Sequence, residues 1–197
     1  MSASAAGGRV FVAIDVGDAV RAEVTRVCAA IDVAVGAAKA PPRIVWVAPK
    51  ALHLTLRFVG EVDASGLARL RGLIAPPIAL EPFAVRWRGL GAFPGPRHPR
   101  ALWLGLVDGA DALGRLEAEV SRRLDGAIAD HPHPFRPHVT IGRVKADGAG
   151  VDWTDVLETI NVSGVRSTVD HVTLYRSELS ARGPHYTGLV RSPLVGA

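Results

Sequence analysis

Two short segments of the sequence each place a histidine and a threonine two residues apart. The first reads His-Leu-Thr at residues 53–55, and the second reads His-Val-Thr at residues 138–140. Both lie in runs of alternating polarity that are rich in strand-forming residues. Side chains at positions i and i+2 of a strand share a face and lie about 6.5–7 Å apart. Each segment therefore presents an imidazole and a hydroxyl together, which suggests one site built from two strands.

Two histidines across a cleft suit general acid–base catalysis at neutral pH. Imidazole has an ordinary pKa of about 6.5, so that of His53 and His138 one ring can accept a proton while the other donates one. Each role typically accelerates a reaction by ~10²- to 10⁴-fold. The hydroxyls of Thr55 and Thr140 would donate hydrogen bonds to an anion held between the rings, and Arg143 would add fixed positive charge. Such a site needs neither a metal nor a covalent intermediate, and it suits in-line attack on a phosphodiester.

The elements around the two motifs follow the same order twice. A strand, a helix, a loop and then a motif strand are predicted at residues 9–59 and again at residues 101–144. This repetition indicates a diverged duplication in which the motif strands face each other across a pseudo-twofold cleft. The predicted strands are too short and too closely spaced for a long parallel array, and an α+β fold is expected.

The individual elements are predicted from periodicity and from helix start and stop signals. Helices are expected at residues 19–35, 65–74 with Ser65 as the cap, 109–129 and 153–160. Besides the motif strands, strands are expected at residues 9–15, 44–47, 83–90 and 101–107, and near 169–177 and 186–191. Residues 91–100 and 131–136 are predicted to be loops rich in proline.

Composition indicates a globular chain of 197 residues, since 48% are hydrophobic and 21% charged. Residues 1–8 read as a disordered tail and residues 9–197 as a single two-lobed domain. Cys28 is the only cysteine, which excludes an internal disulfide and a cysteine-based zinc cluster, and its apolar helical surroundings predict burial. No apolar run reaches the ~18 residues of a membrane span, and no signal-peptide pattern is present. A cytoplasmic location is therefore expected.

The charged residues of the chain give a weak indication of what it binds. The net charge is +4, and arginines far outnumber the three lysines. Guanidinium groups bind phosphate oxygens in a bidentate manner, so this bias weakly favours a phosphate-bearing partner. Two readings stay open for Arg97, His98, Arg100 and Arg136, which either contact RNA phosphates beside the cleft or form a solubilising basic rim.

Three other patterns imitate functional motifs. A third histidine–threonine pair, His171-Val172-Thr173, lacks the repeated helix and loop, and a structural role on a neighbouring strand is expected for it. Lys145-Ala146-Asp147-Gly148 spells the lysine motif of nucleotidyl-transferring ligases, but Asp147-Gly148 is typical of a turn. His131, His133 and His138 could imitate a metal cluster, but the loop is stiffened by proline and has no carboxylate at ligand spacing, which favours an exposed loop over a metal site. Phe58 and Trp103 could stack on a base, although packing in the core is the favoured role for both.

The two motifs, in their wider context, resemble the signature motifs of a known family. The segments His53-Leu54-Thr55-Leu56-Arg57-Phe58-Val59-Gly60 and Phe135-Arg136-Pro137-His138-Val139-Thr140-Ile141-Gly142-Arg143 are similar to those of the two-histidine phosphoesterases. The nearest branch resembles the bacterial and archaeal RNA 2′,3′-cyclic phosphodiesterases, also called 2′-5′ RNA ligases. The resemblance spans roughly residues 9–191 and includes Arg9-Val10-Phe11-Val12-Ala13-Ile14-Asp15 and Leu174-Tyr175-Arg176-Ser177. Gly142 departs from the family, in which alanine is frequent.

The resemblance implies hydrolysis of a 2′,3′-cyclic phosphate at an RNA end to a 2′-phosphate and a free 3′-hydroxyl, with possible reversible 2′-5′ ligation. It implies that His53 protonates the leaving O3′ and that His138 activates water. Thr55 and Thr140 would hold the phosphate, Arg143 would assist, and no cofactor or metal would be needed. The family fold has two pseudo-twofold-related lobes of mostly antiparallel sheet, with outer helices, around a central cleft.

Two alternatives remain at this point. One keeps the chemistry and changes the substrate to a small cyclic nucleotide, because loops at the cleft rim decide that choice. The other is a module that binds RNA ends without cleaving them. A monomer with no obligate protein partner is expected, since one chain supplies both halves of the site.

Overall fold

The computed structural model describes residues 7–128, 134–180 and 183–196, which form four α-helices, ten β-strands and one 3₁₀ turn at Pro49–Ala51. The helices are α1 (Asp18–Gly36), α2 (Ala64–Ile74), α3 (Ala110–Leu124) and α4 (Trp153–Thr159). The strands are β1 (Gly8–Asp15), β2 (Arg43–Trp46), β3 (His53–Val62), β4 (Ile78–Ala79), β5 (Phe83–Phe93), β6 (Ala101–Asp108), β7 (Val139–Ala146), β8 (Arg166–Val169), β9 (His171–Ser180) and β10 (Gly183–Val195). Residues 1–6 of the predicted tail lie outside the described ranges, and Gly8 is already part of β1.

The strands form two five-stranded sheets, one in each lobe. The first lobe has the order β3-β1-β9-β10-β4, and the second has the order β2-β7-β6-β5-β8. The pairing of β10 with β4 is parallel, and the other strand pairings are antiparallel. The α+β prediction with two mostly antiparallel lobes is therefore confirmed. Each motif strand lies beside the strand that opens its own half, β3 beside β1 and β7 beside β6.

The chain changes lobes more than once. After β1 and α1 it enters the second sheet as β2, and β9 and β10 return to the first sheet at the end of the chain. Each lobe therefore contains strands from distant parts of the sequence. This interweaving ties the two lobes together through the backbone, so that motif strands 85 residues apart belong to one framework.

Alternation along the strands places the core between each sheet and its helices. In β1, Val10, Val12 and Ile14 are buried completely or nearly so, and the intervening side chains point to the opposite face. The helices contribute apolar stripes at helical spacing, such as Leu113, Leu116, Val120 and Leu124 on α3. Each such side chain stabilises the fold by about 1.5–3 kcal/mol when fully buried. Cys28 is 9% exposed on α1, which confirms its predicted burial.

Several predicted boundaries were wrong, and three of them have a clear physical cause. Helix α2 begins after Asp63, whose carboxylate accepts a hydrogen bond from the Gly66 amide at 2.7 Å, whereas Ser65 donates its hydroxyl to that same carboxylate. Helix α3 ends at Leu124, before Gly126 with φ 64°, because glycine readily adopts the left-handed conformation that ends helices; residue 129 lies outside the described ranges. Strand β5 continues to Phe93, where pairing with β6 overrides the local glycine signal.

Within the described ranges, no helix is both long enough and apolar enough to cross a bilayer.

Candidate active site

His53 opens β3 and lies against aromatic rings from neighbouring strands. Its ring centroid is 4.8 Å from that of Phe11 on β1 and 5.1 Å from that of Tyr186 on β10. Its Nδ1 donates a hydrogen bond to the carbonyl oxygen of Ala51 at 2.8 Å. The ring is therefore fixed in place by contacts on three sides.

His138 has an equivalent environment in the second lobe. It immediately precedes β7, and its ring centroid lies 4.9 Å from that of Phe93 and 6.3 Å from that of Trp103. Its Nδ1 donates to the carbonyl oxygen of Arg136 at 2.6 Å. In both motifs the acceptor is thus the carbonyl two residues before the histidine.

This shared hydrogen bond fixes the tautomer of both rings. A carbonyl oxygen only accepts, so that Nδ1 must carry the proton when either ring is neutral. The lone pair then lies on Nε2, at the opposite side of the ring. His53 and His138 therefore each present Nε2 as the atom that gains or loses a proton.

The two imidazoles are close enough to influence each other. A charge on His138 is one of the causes that lower the pKa of His53. The largest cause for each ring is burial, which lowers the pKa of His53 and of His138 below the ordinary value. The hydrogen bonds to Ala51 and Arg136 act in the opposite direction, because donation to a carbonyl favours the charged ring. Burial therefore favours the neutral form of both rings.

Thr55 and Thr140 follow their histidines on the same faces of β3 and β7, and both are partly buried. Thr55 lies opposite Ala13 of β1, and Thr140 lies opposite Trp103 of β6. The predicted pairing of imidazole and hydroxyl on one strand face is therefore the geometry found in each lobe.

A β-bulge follows each motif at the same position. On β3 the register shifts between Thr55 and Arg57, and on β7 it shifts between Thr140 and Gly142. A bulge inserts one extra residue and reverses which face the following side chains occupy. Phe58, which strict alternation would turn to the core side, is 58% exposed and has its ring 6.3 Å from that of Phe11.

Arg143 occupies the position in the second lobe that Phe58 occupies in the first, five residues after the motif histidine. It is exposed, and its charge reaches Tyr186, where it opposes the rise that burial causes in the pKa of that phenol. Arg143 of the second lobe thus faces the part of the first lobe where Tyr186 packs against His53. The prediction that Phe58 packs in the core was wrong because the bulge was not visible in the sequence.

Trp103 and Gly142 each have a close packing partner. The Trp103 ring lies across Gly91 of β5, where an added Cβ would be 2.1 Å from the ring, in agreement with the packing role predicted for it. The Trp46 ring lies across Gly142, where a Cβ would be 2.6 Å from the ring. Alanine at residue 142 therefore requires a different position of Trp46, whose indole donates to Asp32.

Sequence reasoning missed the aromatic and acidic residues that surround His53. Phe11, Tyr175 and Tyr186 form a continuous cluster, with Phe11 stacked on Tyr175 at 5.4 Å, and Asp15 lies directly opposite His53 in the register of β1 and β3. One signal was present, because the chain has only two tyrosines and both lie in this cluster.

The basic residues predicted for the rim of the cleft lie at the surface. Arg97, His98, Arg100 and Arg136 are exposed, and Nδ1 of His98 lies 3.8 Å from the Asp147 carboxylate. Gly148 has φ 74°, as expected of a turn after β7. His131 and His133 lie outside the described residues. Among the residues that are described, no group of three or more potential metal ligands occurs.

Comparisons with known proteins agree with this geometry. Each of the two mostly antiparallel sheets carries one histidine–threonine motif, at the start of β3 and at the start of β7. The family model of the 2′-5′ RNA ligase superfamily matches residues 19–181, and the chain belongs to this superfamily.

Curated relatives and solved structures align along nearly the whole chain. The RNA 2′,3′-cyclic phosphodiesterase of Archaeoglobus fulgidus is 32% identical over 92% of this chain and 97% of its own length. That of Methanothermobacter thermautotrophicus is 30% identical over 92% and 96%. TT0787 of Thermus thermophilus has a TM-score of 0.71 at 28% identity, covering 95% of this chain and 98% of its own. LigT of E. coli in its apo form has a TM-score of 0.71 at 26% identity, covering 96% and 98%. The family resemblance and the prediction of a hydrolytic enzyme are thereby confirmed.

Proposed function

We propose that this protein hydrolyses RNA 2′,3′-cyclic phosphate ends to 2′-phosphate ends by metal-independent acid–base catalysis with its two histidine–threonine motifs. The observation that carries the proposal is the matched pair of imidazoles, each tied through Nδ1 to a carbonyl and each presenting Nε2. The names of the curated relatives supply the substrate class. LigT of E. coli, at 27% identity, has also been solved in complex with 3′-AMP.

The reaction requires one proton acceptor and one proton donor on opposite sides of the phosphorus. Nε2 of neutral His138 takes a proton from water as the water oxygen bonds to phosphorus. The bond from phosphorus to O3′ breaks, and protonated His53 delivers its Nε2 proton to that oxygen. The products are a 2′-phosphate and a 3′-hydroxyl. Exchange of protons with solvent then returns His53 to its charged form and His138 to its neutral form.

Charge builds on the non-bridging phosphate oxygens during this step. The hydroxyls of Thr55 and Thr140 donate to these oxygens from the two lobes, and Arg143 adds positive charge. Donors that are already in position lower the barrier because they need no rearrangement as charge develops. Such donors are typically worth ~10²- to 10³-fold in rate each.

The exposed ring of Phe58 provides a surface for the terminal base. Base stacking on an aromatic ring contributes about 1–3 kcal/mol and tolerates any base. Phe58 and Arg143 follow their motif histidines at the same spacing in the two lobes. Phe58 of the first lobe would therefore hold the base, and Arg143 of the second lobe would hold the phosphate of the same nucleotide. This favours a nucleotide end over a cyclic phosphate that carries no base.

Residues 9–197 are proposed to act as one two-lobed unit and as a monomer. Both histidines come from a single chain, and no second copy is needed to complete the site. A size measurement on the active protein tests this directly.

The decisive experiment uses an RNA oligonucleotide that ends in a 2′,3′-cyclic phosphate, incubated with the purified protein in EDTA. We expect a 2′-phosphate product, and a loss of ~10²- to 10⁴-fold in rate for His53→Ala and for His138→Ala. His185→Ala is the matched control, since His185 is an exposed histidine of β10 one residue from Tyr186 and so on the other face of the strand.

Three other results would change the conclusion. A 3′-phosphate product would reverse the assignment of the leaving oxygen. Turnover that EDTA abolishes would contradict the metal-independent mechanism. Turnover only on small cyclic nucleotides would reassign the substrate, and tight RNA binding without turnover would make the protein a binding module.

A further inference from the structure

The third histidine–threonine pair lies beside the proposed active site. Strand β9 places Thr173 and Tyr175 opposite Ala13 and Phe11 of β1, and His171 lies two residues before Thr173 and so on the same face. A cavity of about 650 Å³ opens there, lined by residues that include Asp15, Arg21, Asp170, His171, Tyr175 and Arg191. His171 therefore belongs to a charged network on β1 and β9, and β1 pairs with β3, the strand that carries His53.

Asp15 is held at the centre of this network by two side chains of β9. Tyr175 donates its hydroxyl to one carboxylate oxygen at 2.6 Å, and Nε2 of His171 contacts the other at 3.1 Å. Nδ1 of His171 also bonds to the carboxylate of Asp170. The guanidinium of Arg191 lies 3.0 Å from the same nitrogen, while the two carboxylates stabilise the positively charged form of the ring. The hydrogen bond between His171 and Asp15 raises the pKa of His171 and lowers the pKa of Asp15.

The position of Asp15 relative to His53 follows from strand register. Asp15 and His53 are directly opposite each other in the antiparallel pair of β1 and β3, where Cβ atoms lie about 4.5–5.5 Å apart. The second lobe differs at the matching place. There Leu104 pairs with Val139, so that continuation of the register puts Gly105 opposite His138. One histidine thus has an anchored carboxylate beside it, and the other has a glycine.

We propose that Asp15, anchored by His171 and Tyr175, is a positioning residue that assigns the catalytic proton to His53 rather than to His138. A fixed negative charge stabilises the protonated form of a nearby imidazole. Without such a difference the two rings, which share the same tautomer and similar packing, would compete for one proton. The role in turnover rests on the proposed function, whereas the proton assignment itself can be measured in the free protein.

The charges around His53 do not all act in one direction. Burial and the nearby His138 lower the pKa of His53, whereas Asp15 and the bond to Ala51 raise it. For His138 burial lowers the pKa and the bond to Arg136 raises it, and no carboxylate among the described residues contributes. The groups that face His53 or its carboxylate partner are Asp15 from β1, His171 and Tyr175 from β9, Tyr186 from β10, Arg21 from α1, and His138 and Arg143 from the second lobe.

NMR titration of the histidine rings in the intact, substrate-free protein tests the proposal. With carbon-13-labelled histidine, signals are assigned from His53→Gln and His138→Gln. Asp15→Asn keeps the shape and hydrogen-bonding capacity of the side chain and removes its charge. We expect the titration midpoint of His53 to fall by about one pH unit while that of His138 stays nearly unchanged.

Asp170→Asn is the matched control, because it removes a carboxylate that bonds to the far nitrogen of His171 and should leave the His53 midpoint in place. Asp15→Ser removes the charge in a second way should the asparagine variant not fold. An unchanged His53 midpoint in a folded Asp15 variant, or equal shifts of both histidines, would overturn the proposal.

The activity measurement separates this proposal from the proposed function. In Asp15→Asn the alkaline limb of the kcat/KM profile should move to lower pH by the same amount, with little change at the acidic end. An Asp15 variant that lowers kcat/KM equally at every pH would overturn the assignment. If the wild-type protein hydrolyses no cyclic phosphate but the His53 midpoint shifts as expected, the proposed function fails and the assignment of the proton stands.

Discussion

Phe58 offers the sharpest test of how the substrate is held, because its position depends on the bulge in β3. The ring is 58% exposed and packs against Phe11, which in turn contacts His53. If the terminal base stacks on one face of this ring, replacement by alanine removes about 1–2 kcal/mol of binding. This corresponds to a roughly 5- to 30-fold rise in KM with little change in kcat. Stability should change by less than about 1 kcal/mol, since most of the ring is in solvent.

The assay compares two substrates that differ only in the terminal base. One is an RNA end with a 2′,3′-cyclic phosphate, and the other carries the same cyclic phosphate on an abasic terminal ribose. Phe58→Ala should raise KM for the first and leave the second unchanged. Phe58→Trp should preserve binding, and Phe58→Leu, which keeps apolar volume without an aromatic face, should resemble alanine. An equal loss on both substrates, or no loss on either, would refute the stacking role.

Three further predictions follow from the charged residues. Arg143→Ala should lower kcat/KM by roughly 10- to 100-fold and Arg143→Lys by less, in steady-state assays, because lysine retains the charge without the bidentate fork. Burial lowers the pKa of His53 and of His138, so the proton that the mechanism requires on His53 is lost at a lower pH than from an ordinary histidine. The value of kcat/KM should therefore already be falling as the pH rises through 6.5. A plateau of kcat/KM up to pH 8 would contradict this. Glu23 is 8% exposed and bonded to Arg26. This hydrogen bond is the largest cause that lowers the pKa of Glu23 to about 2. The Glu23 carboxylate therefore stabilises the fold above its unfolded pKa near 4.5, and this stabilisation is lost as the pH falls towards 2. Glu23→Gln should therefore lower the free energy of unfolding by about 1–3 kcal/mol at pH 7 and by less at pH 3 in urea titrations.

The repeated motif made much of the architecture predictable. Alternation placed His53 beside Thr55 and His138 beside Thr140, and the repeated order of elements implied two related lobes. These inferences depend on local spacing, which a sequence displays directly. The position of Phe58 could not be obtained in this way, because a bulge is a property of two paired strands and the partner strand is not known in advance.

Long-range contacts account for the other omissions. Asp15 and His171 are 156 residues apart, and only the order of strands in the first sheet brings them together. His171 lacked the helix and loop that accompany the other two histidine–threonine motifs, and its placement on a neighbouring strand was predicted. Its bond to Asp15 was not, since nothing in the local pattern of β9 indicates that β1 is its neighbour.

The similarity of the two lobes creates a chemical difficulty that the proposed mechanism has to resolve. Repetition gives His53 and His138 the same tautomer, the same carbonyl partner and similar aromatic neighbours, and therefore similar proton affinities. In-line cleavage of a cyclic phosphate requires the opposite, since one ring must be charged while the other is neutral. The difference has to come from positions where the two halves no longer match. In the proposed mechanism, Asp15 in the first lobe and Gly105 at the matching place in the second decide which histidine holds the proton. Phe58 and Arg143, which also occupy matching places, bind the base and the phosphate of the nucleotide. These differences between the halves fix the direction in which the substrate lies and in which the proton moves.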